Sequence, residues 1–237
     1  MELVHLVSAV AIPKAALCVV VVAASTLGAS ILGSAPAAAH PHLWIDVSAT
    51  VVFDAKRQVT AIETRWEFDE LYSVFATEGM DADGDGRFSS QELAGLAAEN
   101  IKQLKEWHYF AVVESGGKRA GLAPVTEYVM TWGGGRLSLD MTLRLVKPLD
   151  PVAKPVRFAF FDPTYYIDLV FARTEPLRLA GPPEHCRARV DVPDTAGGTT
   201  VPDDIANAMR NDPNKPLESL GARFAEWVTL DCPAGRP

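Results

Sequence analysis

Residues 81–92 read D-A-D-G-D-G-R-F-S-S-Q-E, and this stretch matches the loop of an EF-hand at every position that calcium chemistry restricts. Carboxylates stand at loop positions 1, 3 and 5, a glycine that permits a sharp turn stands at position 6, and a glutamate stands at position 12. The alternative is an acidic surface turn that matches the pattern by chance. The predicted calcium ligands are Asp81, Asp83, Asp85, Arg87 through its backbone carbonyl, Ser89 and Glu92.

Apolar residues repeat at helical spacing on both sides of this loop. The repeat before it predicts a short helix that begins near Phe68 and stops at Gly79. The repeat after it predicts a helix over residues 90–107. A calcium loop needs a helix at each end to hold its ligands in place. The sequence therefore predicts an EF-hand over residues 67–107, inserted between β-strands.

The rest of the chain has the pattern of a β-rich domain. Short runs of β-branched and aromatic residues alternate with turns rich in glycine, proline and aspartate, which is typical of an antiparallel sandwich or an open barrel. The predicted fold class is α+β, with a mainly antiparallel β-sandwich-like core and the inserted EF-hand. The predicted strands cover residues 42–53, 58–66, 109–114, 124–132, 136–146, 155–161, 165–172 and 224–232.

The N-terminus has the organisation of a secretory signal peptide over residues 1–39. Lys14 precedes an apolar stretch over 15–32, and the small residues over 33–39 end in an Ala-x-Ala cleavage site. Cleavage there starts the mature chain at His40 and predicts a periplasmic protein. A retained membrane anchor is the alternative, because the apolar run is about long enough to span a bilayer.

The charge of the chain limits its partners. The formal net charge is −8, and no basic run is present. The sequence therefore lacks the electrostatic footprint of a nucleic-acid-binding protein. Removal of the signal peptide leaves about 200 residues, which is enough for one good hydrophobic core.

Two cysteines remain after signal removal, Cys186 and Cys232. An even pair in an exported protein predicts one disulfide. Thiolate ligation of a metal is the alternative, although the chain has no Cys-x-x-Cys spacing. The disulfide would staple a C-terminal tail over 176–237 onto a β-rich domain over 40–175.

The predicted mature N-terminus reads His40-Pro41-His42. A free N-terminal histidine chelates a metal through its α-amine and its ring nitrogen, and His42 points the same way in an extended chain. These groups predict a site for Cu²⁺, Ni²⁺ or Zn²⁺ at His40 and His42. The alternative is a frayed polar terminus with two solvated imidazoles.

Other polar residues carry a weaker prediction. His108 and His185 stand alone in the sequence, so each is expected to be solvated or hydrogen-bonded rather than a ligand. Asp162 opens an Asp-Pro-Thr turn, where the side chain mostly bonds its own backbone. The alternative is that Asp162, Tyr165 and Asp168 are oxygen ligands or hydrogen-bond partners. No nucleophile elbow, phosphate loop, dinucleotide fingerprint or H-E-x-x-H motif occurs, so the chain is predicted not to be an enzyme.

Four motifs and the late cysteines together resemble a known bacterial family. The motifs are H-P-H-L-W-I-D at 40–46, W-E-F-D-E-L-Y-S at 66–73, the D-x-D-x-D-G loop, and F-D-P-T-Y-Y-I-D at 161–168. The chain resembles the domain-of-unknown-function 1007 family, usually described as the periplasmic component of an uncharacterised ABC-type transport system. The resemblance covers 40–175 and implies a role in metal handling, because members tend to be encoded beside metal transporters.

These observations lead to one preferred function and two alternatives. The preferred function is an exported, non-enzymatic Ca²⁺-binding protein whose His40 and His42 bind a transition metal for an inner-membrane metal transporter. The first alternative is a calcium-stabilised periplasmic interaction module with no transition-metal role. The second is a copper enzyme that uses the N-terminal chelate for oxidative chemistry.

Overall fold

A computed structural model describes residues 42–193 and 220–233 of the chain. The predicted signal peptide over 1–39 and the predicted ligand His40 lie outside these residues. No helix within the described ranges is both long and apolar enough to cross a membrane.

Strands hold far more of the described residues than helices do, and the two longer helices follow one another between the second and third strands. The elements are β1 (Leu43–Phe53), β2 (Val59–Phe68), α1 (Glu70–Ala76), α2 (Ala94–Glu106), a 3₁₀ turn (His108–Phe110), β3 (Ala111–Ser115), β4 (Lys118–Arg119), β5 (Tyr128–Gly133), β6 (Arg136–Leu149), β7 (Val156–Phe160), β8 (Ile167–Phe171), β9 (Leu177–Ala180), β10 (Arg187–Asp191), α3 (Leu220–Phe224) and β11 (Trp227–Asp231).

The strands form two sheets. The first sheet has the order β5-β6-β2-β1-β8, with β9 also paired to β1, and the second has the order β10-β11-β7-β3-β4. Every pairing is antiparallel except those of β8 and β9, which both run parallel to β1. The fold is therefore α+β, mainly β and mostly antiparallel, as the sequence predicts.

Both sheets contribute to one hydrophobic core. Along β1, every second side chain from Leu43 to Phe53 is buried, which is the alternation of a strand with one face on the core. Trp66 on β2 is 1% exposed, and its ring packs edge-on against Phe160 of β7 at 6.0 Å. Burial of each such large side chain contributes about 1.5–3 kcal/mol. This shared core is consistent with the predicted sandwich-like arrangement.

The parallel pairings of β8 and β9 are the main departure from a purely antiparallel sheet. β1 pairs with β8 through Leu43 to Val47 and with β9 through Ala49 to Val52, so the two short strands together line one edge of β1. More than a hundred residues separate β1 from β8, and a connection of that length lets the chain return in either direction. The alternation of apolar residues along a strand is the same whether the strand runs parallel or antiparallel to its neighbour. The sequence pattern therefore does not reveal the direction of β8 and β9.

The disulfide between Cys186 and Cys232 is present, as the sequence predicts. Cys186 directly precedes β10 and Cys232 directly follows β11, and these two strands are antiparallel neighbours. β11 in turn pairs with β7 in the middle of the second sheet. The disulfide therefore closes the end of a strand pair that belongs to the core.

Candidate metal centre

The helix before the acidic loop is fixed at its first residue. Asp69 caps α1, because its Oδ1 accepts the N–H of Tyr72 at 2.9 Å. Its Oδ2 accepts the N–H of Trp44 at 3.2 Å, and the N–H of Asp69 donates to the Trp44 carbonyl at 3.0 Å. One aspartate therefore both starts the helix and ties it to β1.

A buried serine holds the same helix against the first sheet. The Ser73 hydroxyl donates to the carbonyl of Asp69 at 2.6 Å and accepts the N–H of Leu137 on β6 at 2.9 Å. Ser73 is 0% exposed, so loss of its hydroxyl would leave a buried N–H without a partner. The chain therefore enters the acidic loop from a helix with a fixed position.

The helix after the loop is fixed by apolar contacts. Leu93, Ala97 and Ile101 are buried in the core at helical spacing along and just before α2. Phe88, inside the loop, packs its ring edge-on against Trp132 of β5 at 4.9 Å. The loop therefore has an apolar anchor of its own, while its acidic side chains remain at the surface.

Three loop carboxylates converge. Asp81, Asp83 and Asp85 each offer a ligand oxygen, and these oxygens all lie within 4.8 Å of one another. Ca²⁺ holds its ligands at about 2.3–2.6 Å, so oxygens on opposite sides of the ion lie about 5 Å apart. The spacing of the three oxygens and their hard, anionic character fit Ca²⁺.

Backbone N–H groups of the loop orient these carboxylates. The N–H of Asp85 donates to the Oδ1 atoms of Asp81 and Asp83, both at 3.1 Å. The N–H of Gly86 donates to the second oxygen of Asp81 at 2.9 Å. Gly86 has a φ of +75°, a conformation that disfavours residues with a side chain. The turn that gathers the carboxylates therefore depends on glycine at loop position 6.

Glu92 joins the two ends of the loop. Its Oε1 accepts the N–H of Ala82 at 2.8 Å, and its Oε2 accepts both the N–H and the hydroxyl of Ser89 at 2.8 Å. The Ser89 hydroxyl in turn accepts the N–H of Glu92 at 3.2 Å, so these two residues are bonded reciprocally in the turn that leads into α2. The bonds from Ser89, and then that from Ala82, hold the pKa of Glu92 below its usual value, so the carboxylate is ionised at neutral pH.

The predicted histidine site is only partly within the described residues. The N–H of His42 donates to the carbonyl of Tyr166 at 2.9 Å, and the two rings lie 4.8 Å apart. Within residues 42–193 and 220–233, the loop aspartates are the only group of three metal-ligating side chains with donor atoms this close together. The fold therefore does not bring His108 or His185 to His42 in such a group.

Asp162 is a turn residue, as its sequence context predicts. Its side chain is almost fully buried, with the residue 4% exposed. Its two oxygens accept bonds from the N–H and hydroxyl of Thr164 and from the N–H groups of Tyr166 and Ile167, at 2.8–3.0 Å. Gly221 packs against the carbonyl of Asp162 so closely that an added Cβ would lie 1.8 Å from that oxygen. The carboxylate is therefore occupied by its own loop.

Asp168 and Glu226 form an acidic pair that is brought together only in the folded chain. Burial raises the pKa of Asp168 on β8, and the nearby carboxylate of Glu226 raises it further. Glu226 itself accepts the N–H of Phe171 at 2.6 Å. Burial and the charge of Asp168 also raise the pKa of Tyr165. No local signal in the sequence could have paired residues 168 and 226, because the fold alone brings them together.

Comparisons with known proteins place this architecture in a family. A model described as "Protein of unknown function (DUF1007)" matches residues 25–232. An "Uncharacterized 15.5 kDa protein in trpE 3'region" of Spirochaeta aurantia is 31% identical over 99 residues, which cover 42% of this chain and 70% of that protein. An "Uncharacterized protein" of Haemophilus influenzae is 21% identical over 195 residues, which cover 82% of this chain and 91% of that protein.

The family match takes in the acidic loop and both cysteines. It also runs beyond residue 175, where the resemblance of the sequence motifs ends. On the extent of this match, the chain belongs to the family described as "Protein of unknown function (DUF1007)".

Proposed function

We propose that this protein is exported, binds Ca²⁺ through the loop over 81–92, and serves as an accessory metal-binding component of a transition-metal transport system. The observation that carries the calcium proposal is the convergence of Asp81, Asp83 and Asp85 within 4.8 Å, in a loop anchored at both ends. The disulfide supports export, because disulfides persist in oxidising compartments. The proposed role is non-enzymatic.

The chemistry of the loop explains what calcium would do. Asp81, Asp83 and Asp85 bring three carboxylate oxygens within 4.8 Å of one another, and Glu92 adds a fourth negative charge to the same loop. Within the described residues none of these four side chains forms an ion pair with a lysine or arginine. Bound Ca²⁺ supplies the missing positive charge, with the Arg87 carbonyl and Ser89 as further oxygen ligands. Because Ca²⁺ binds the folded loop, it stabilises the fold.

Thermal unfolding tests this proposal. A lone extracellular calcium loop binds with a Kd of roughly 10⁻⁴ M, so about 1 mM Ca²⁺ should stabilise the protein by about 1.4 kcal/mol. The melting temperature should rise by several degrees and fall again with chelator. Glu92→Gln should abolish the rise, whereas Glu63→Gln, an exposed glutamate on β2, should preserve it. Equal melting curves in calcium and in chelator would contradict the proposal.

The transition-metal part of the proposal rests on the His40-Pro41-His42 sequence and on the metal-handling role that the family resemblance implies. Cu²⁺, Ni²⁺ or Zn²⁺ would bind the α-amine and the His40 ring, with His42 as a further ligand. Binding should weaken as the pH falls, because protons compete with the metal for these nitrogen ligands. One residue added before His40 should remove much of the Cu²⁺ affinity and leave the calcium response unchanged. Equal Cu²⁺ affinities with and without it, or after His42→Ala, would reject this site.

An exposed helix face favours the interaction module as a second candidate. Leu71, Val74 and Phe75 of α1 are 82%, 62% and 75% exposed, and their spacing places them on one side of the helix. The exposed glutamates Glu70 and Glu78 flank this face. An apolar face with acidic neighbours is complementary to a basic amphipathic segment.

A designed Leu–Lys amphipathic peptide is a suitable probe for this second candidate. It should bind the calcium-loaded protein, and Phe75→Ser should weaken binding by about tenfold, since a large apolar anchor contributes more than 1 kcal/mol. Val146→Ser on β6 is the matched control, because Val146 is also 62% exposed. Equal effects of the two substitutions, or no binding at all, would reject this face as the docking site.

A further inference from the structure

A cleft of about 1010 Å³ opens at the far end of α2 from the acidic loop. It lies between the 3₁₀ turn, the β3–β4 edge of the second sheet and the turn that contains Thr164. α2 is thirteen residues long, so its length separates the cleft from the acidic loop by about 20 Å. The cleft is therefore distinct from the candidate calcium site.

The charge of the cleft is opposite to that of the protein. The chain carries a formal charge of −8, yet the charged side chains that line the cleft are Lys105 and Arg119, joined by the titratable His108. Glu114 stands opposite Arg119 in the β3–β4 register, but its carboxylate binds Arg157 at 2.7 Å. Within the described residues neither Lys105 nor Arg119 forms an ion pair. The cleft therefore offers two cationic side chains to an anionic ligand.

Apolar surfaces line the same cleft. Trp107 is 50% exposed in it, and Phe110, Leu122 and Phe161 are further apolar lining residues. A half-exposed tryptophan beside unpaired cationic groups provides contact area for an apolar group. This combination suits a molecule with an apolar body and an anionic head.

The backbone at the cleft is held in an uncommon conformation. His108, Tyr109 and Phe110 have φ values of 53°, 58° and 49°, in the left-handed region that side chains disfavour. The turn is fixed in the interior, where the Tyr109 hydroxyl accepts the N–H of Val125 at 3.0 Å. Because such conformations persist only where the surrounding structure holds them, the cleft has a defined wall at this turn.

We propose that this cleft binds a small organic carboxylate with an apolar body. The carboxylate interacts with Lys105 and Arg119, and the apolar body packs against Trp107. This assignment is independent of calcium binding, because it uses none of the loop residues.

Decanoate and decyltrimethylammonium are matched probes, since they share an alkyl chain and differ in the sign of the head-group charge. Calorimetric titration should show saturable binding of decanoate and at least about tenfold weaker binding of the cation. An acidic protein without a specific site would prefer the cation. Equal or tighter binding of the cation, or no saturable decanoate binding, would overturn the proposal.

Charge reversal at neighbouring positions locates the site. Arg119→Glu should weaken decanoate binding by about tenfold, whereas Lys118→Glu should change it less than about twofold, because Lys118 does not line the cleft. Both residues are exposed on β4, so both variants are expected to fold, which their melting curves check. Trp107→Ala should also weaken binding. Similar decanoate affinities of the two charge-reversed variants would overturn the assignment. All titrations are repeated with chelator, so that the result does not depend on whether the acidic loop binds calcium.

Discussion

The acidic loop over 81–92 and the turn at Asp162 use aspartate in opposite ways. Asp162 is a single carboxylate, 4% exposed, whose oxygens accept five hydrogen bonds from its own turn. In the loop, three aspartates share a few backbone donors and converge at the protein surface. The first arrangement is complete by itself, whereas the second concentrates negative charge that a cation would relieve.

An aspartate-rich motif therefore has a structural or a binding role according to the hydrogen-bond donors around it. A buried carboxylate must find its partners within the protein, because leaving it without them costs several kcal/mol. An exposed cluster has solvent as its alternative and can exist without an ion. We therefore expect substitutions at Asp162 to affect the fold under all conditions, and substitutions in the loop to affect it mainly when calcium is present.

The largest effect should come from the disulfide between Cys186 and Cys232. Gly221 of the tail packs on the Asp162 carbonyl, and Cys186 and Cys232 close a loop with a sequence separation of 46 residues. By the chain-entropy model, replacing both cysteines with serine should lower the free energy of unfolding by about 4 kcal/mol. Denaturant unfolding measures this loss. If the folded variant without the disulfide responds differently to calcium than the wild-type protein, then the acidic loop is not independent of the disulfide-linked tail.

Removal of the Asp162 side chain should have the next largest effect. Asp162→Ala leaves the Thr164 hydroxyl and the N–H groups of Tyr166 and Ile167 without their acceptor, and we expect a loss of about 3 kcal/mol. Asp162→Asn, which keeps one acceptor oxygen, should lose less. For both variants, the loss in free energy of unfolding should be the same in calcium and in chelator. A loss that depends on calcium would break the contrast between the two regions.

Replacement of Asp168 should change the free energy of unfolding by a smaller amount and in the opposite direction. Its carboxyl is held partly buried beside Glu226, and both causes raise its pKa in the folded state. A raised acid pKa means that stability falls as the pH rises through the window between the unfolded value, about 3.8, and the higher folded value. Asp168→Asn should therefore stabilise the protein at neutral pH.

The pH dependence of the stability gain in Asp168→Asn is the control for this prediction. The gain in stability should disappear once the pH is well below about 3.8, because the wild-type carboxyl is then protonated in both states. Unfolding experiments at several pH values compare the two proteins. A gain that is equal at all pH values would mean that the carboxyl charge is not the cause.

The features that sequence predicted are local ones. The order of acidic residues in the loop, the apolar repeat of the following helix and the alternation along β1 each depend on neighbouring residues. The structure places α2 at Ala94–Glu106, inside the predicted helix over 90–107. The predicted strand over 109–114 instead begins with a left-handed turn, and the strand itself starts at Ala111. The Tyr109 hydroxyl at this turn accepts the N–H of Val125 from a distant segment, a bond that no local pattern predicts.

The features that sequence did not predict depend on distant residues. The parallel pairing of β8 with β1, the carboxylate pair Asp168 and Glu226, and the cationic cleft at Lys105 and Arg119 each combine segments far apart in the chain. Their residue types are ordinary in their local contexts. Only the fold brings them together, so no periodicity or motif marks them.

The contrast between the two regions requires that the acidic loop binds calcium and that the Asp162 turn does not. Calorimetric titration of chelator-treated protein with Ca²⁺ tests it most directly. We expect one Ca²⁺ per chain with a Kd of roughly 10⁻⁴ M. Binding should be lost in Glu92→Gln and in Asp81→Ala and retained in Glu63→Gln and Asp162→Asn. No saturable binding by the wild-type protein, or binding that survives both loop substitutions, would contradict it.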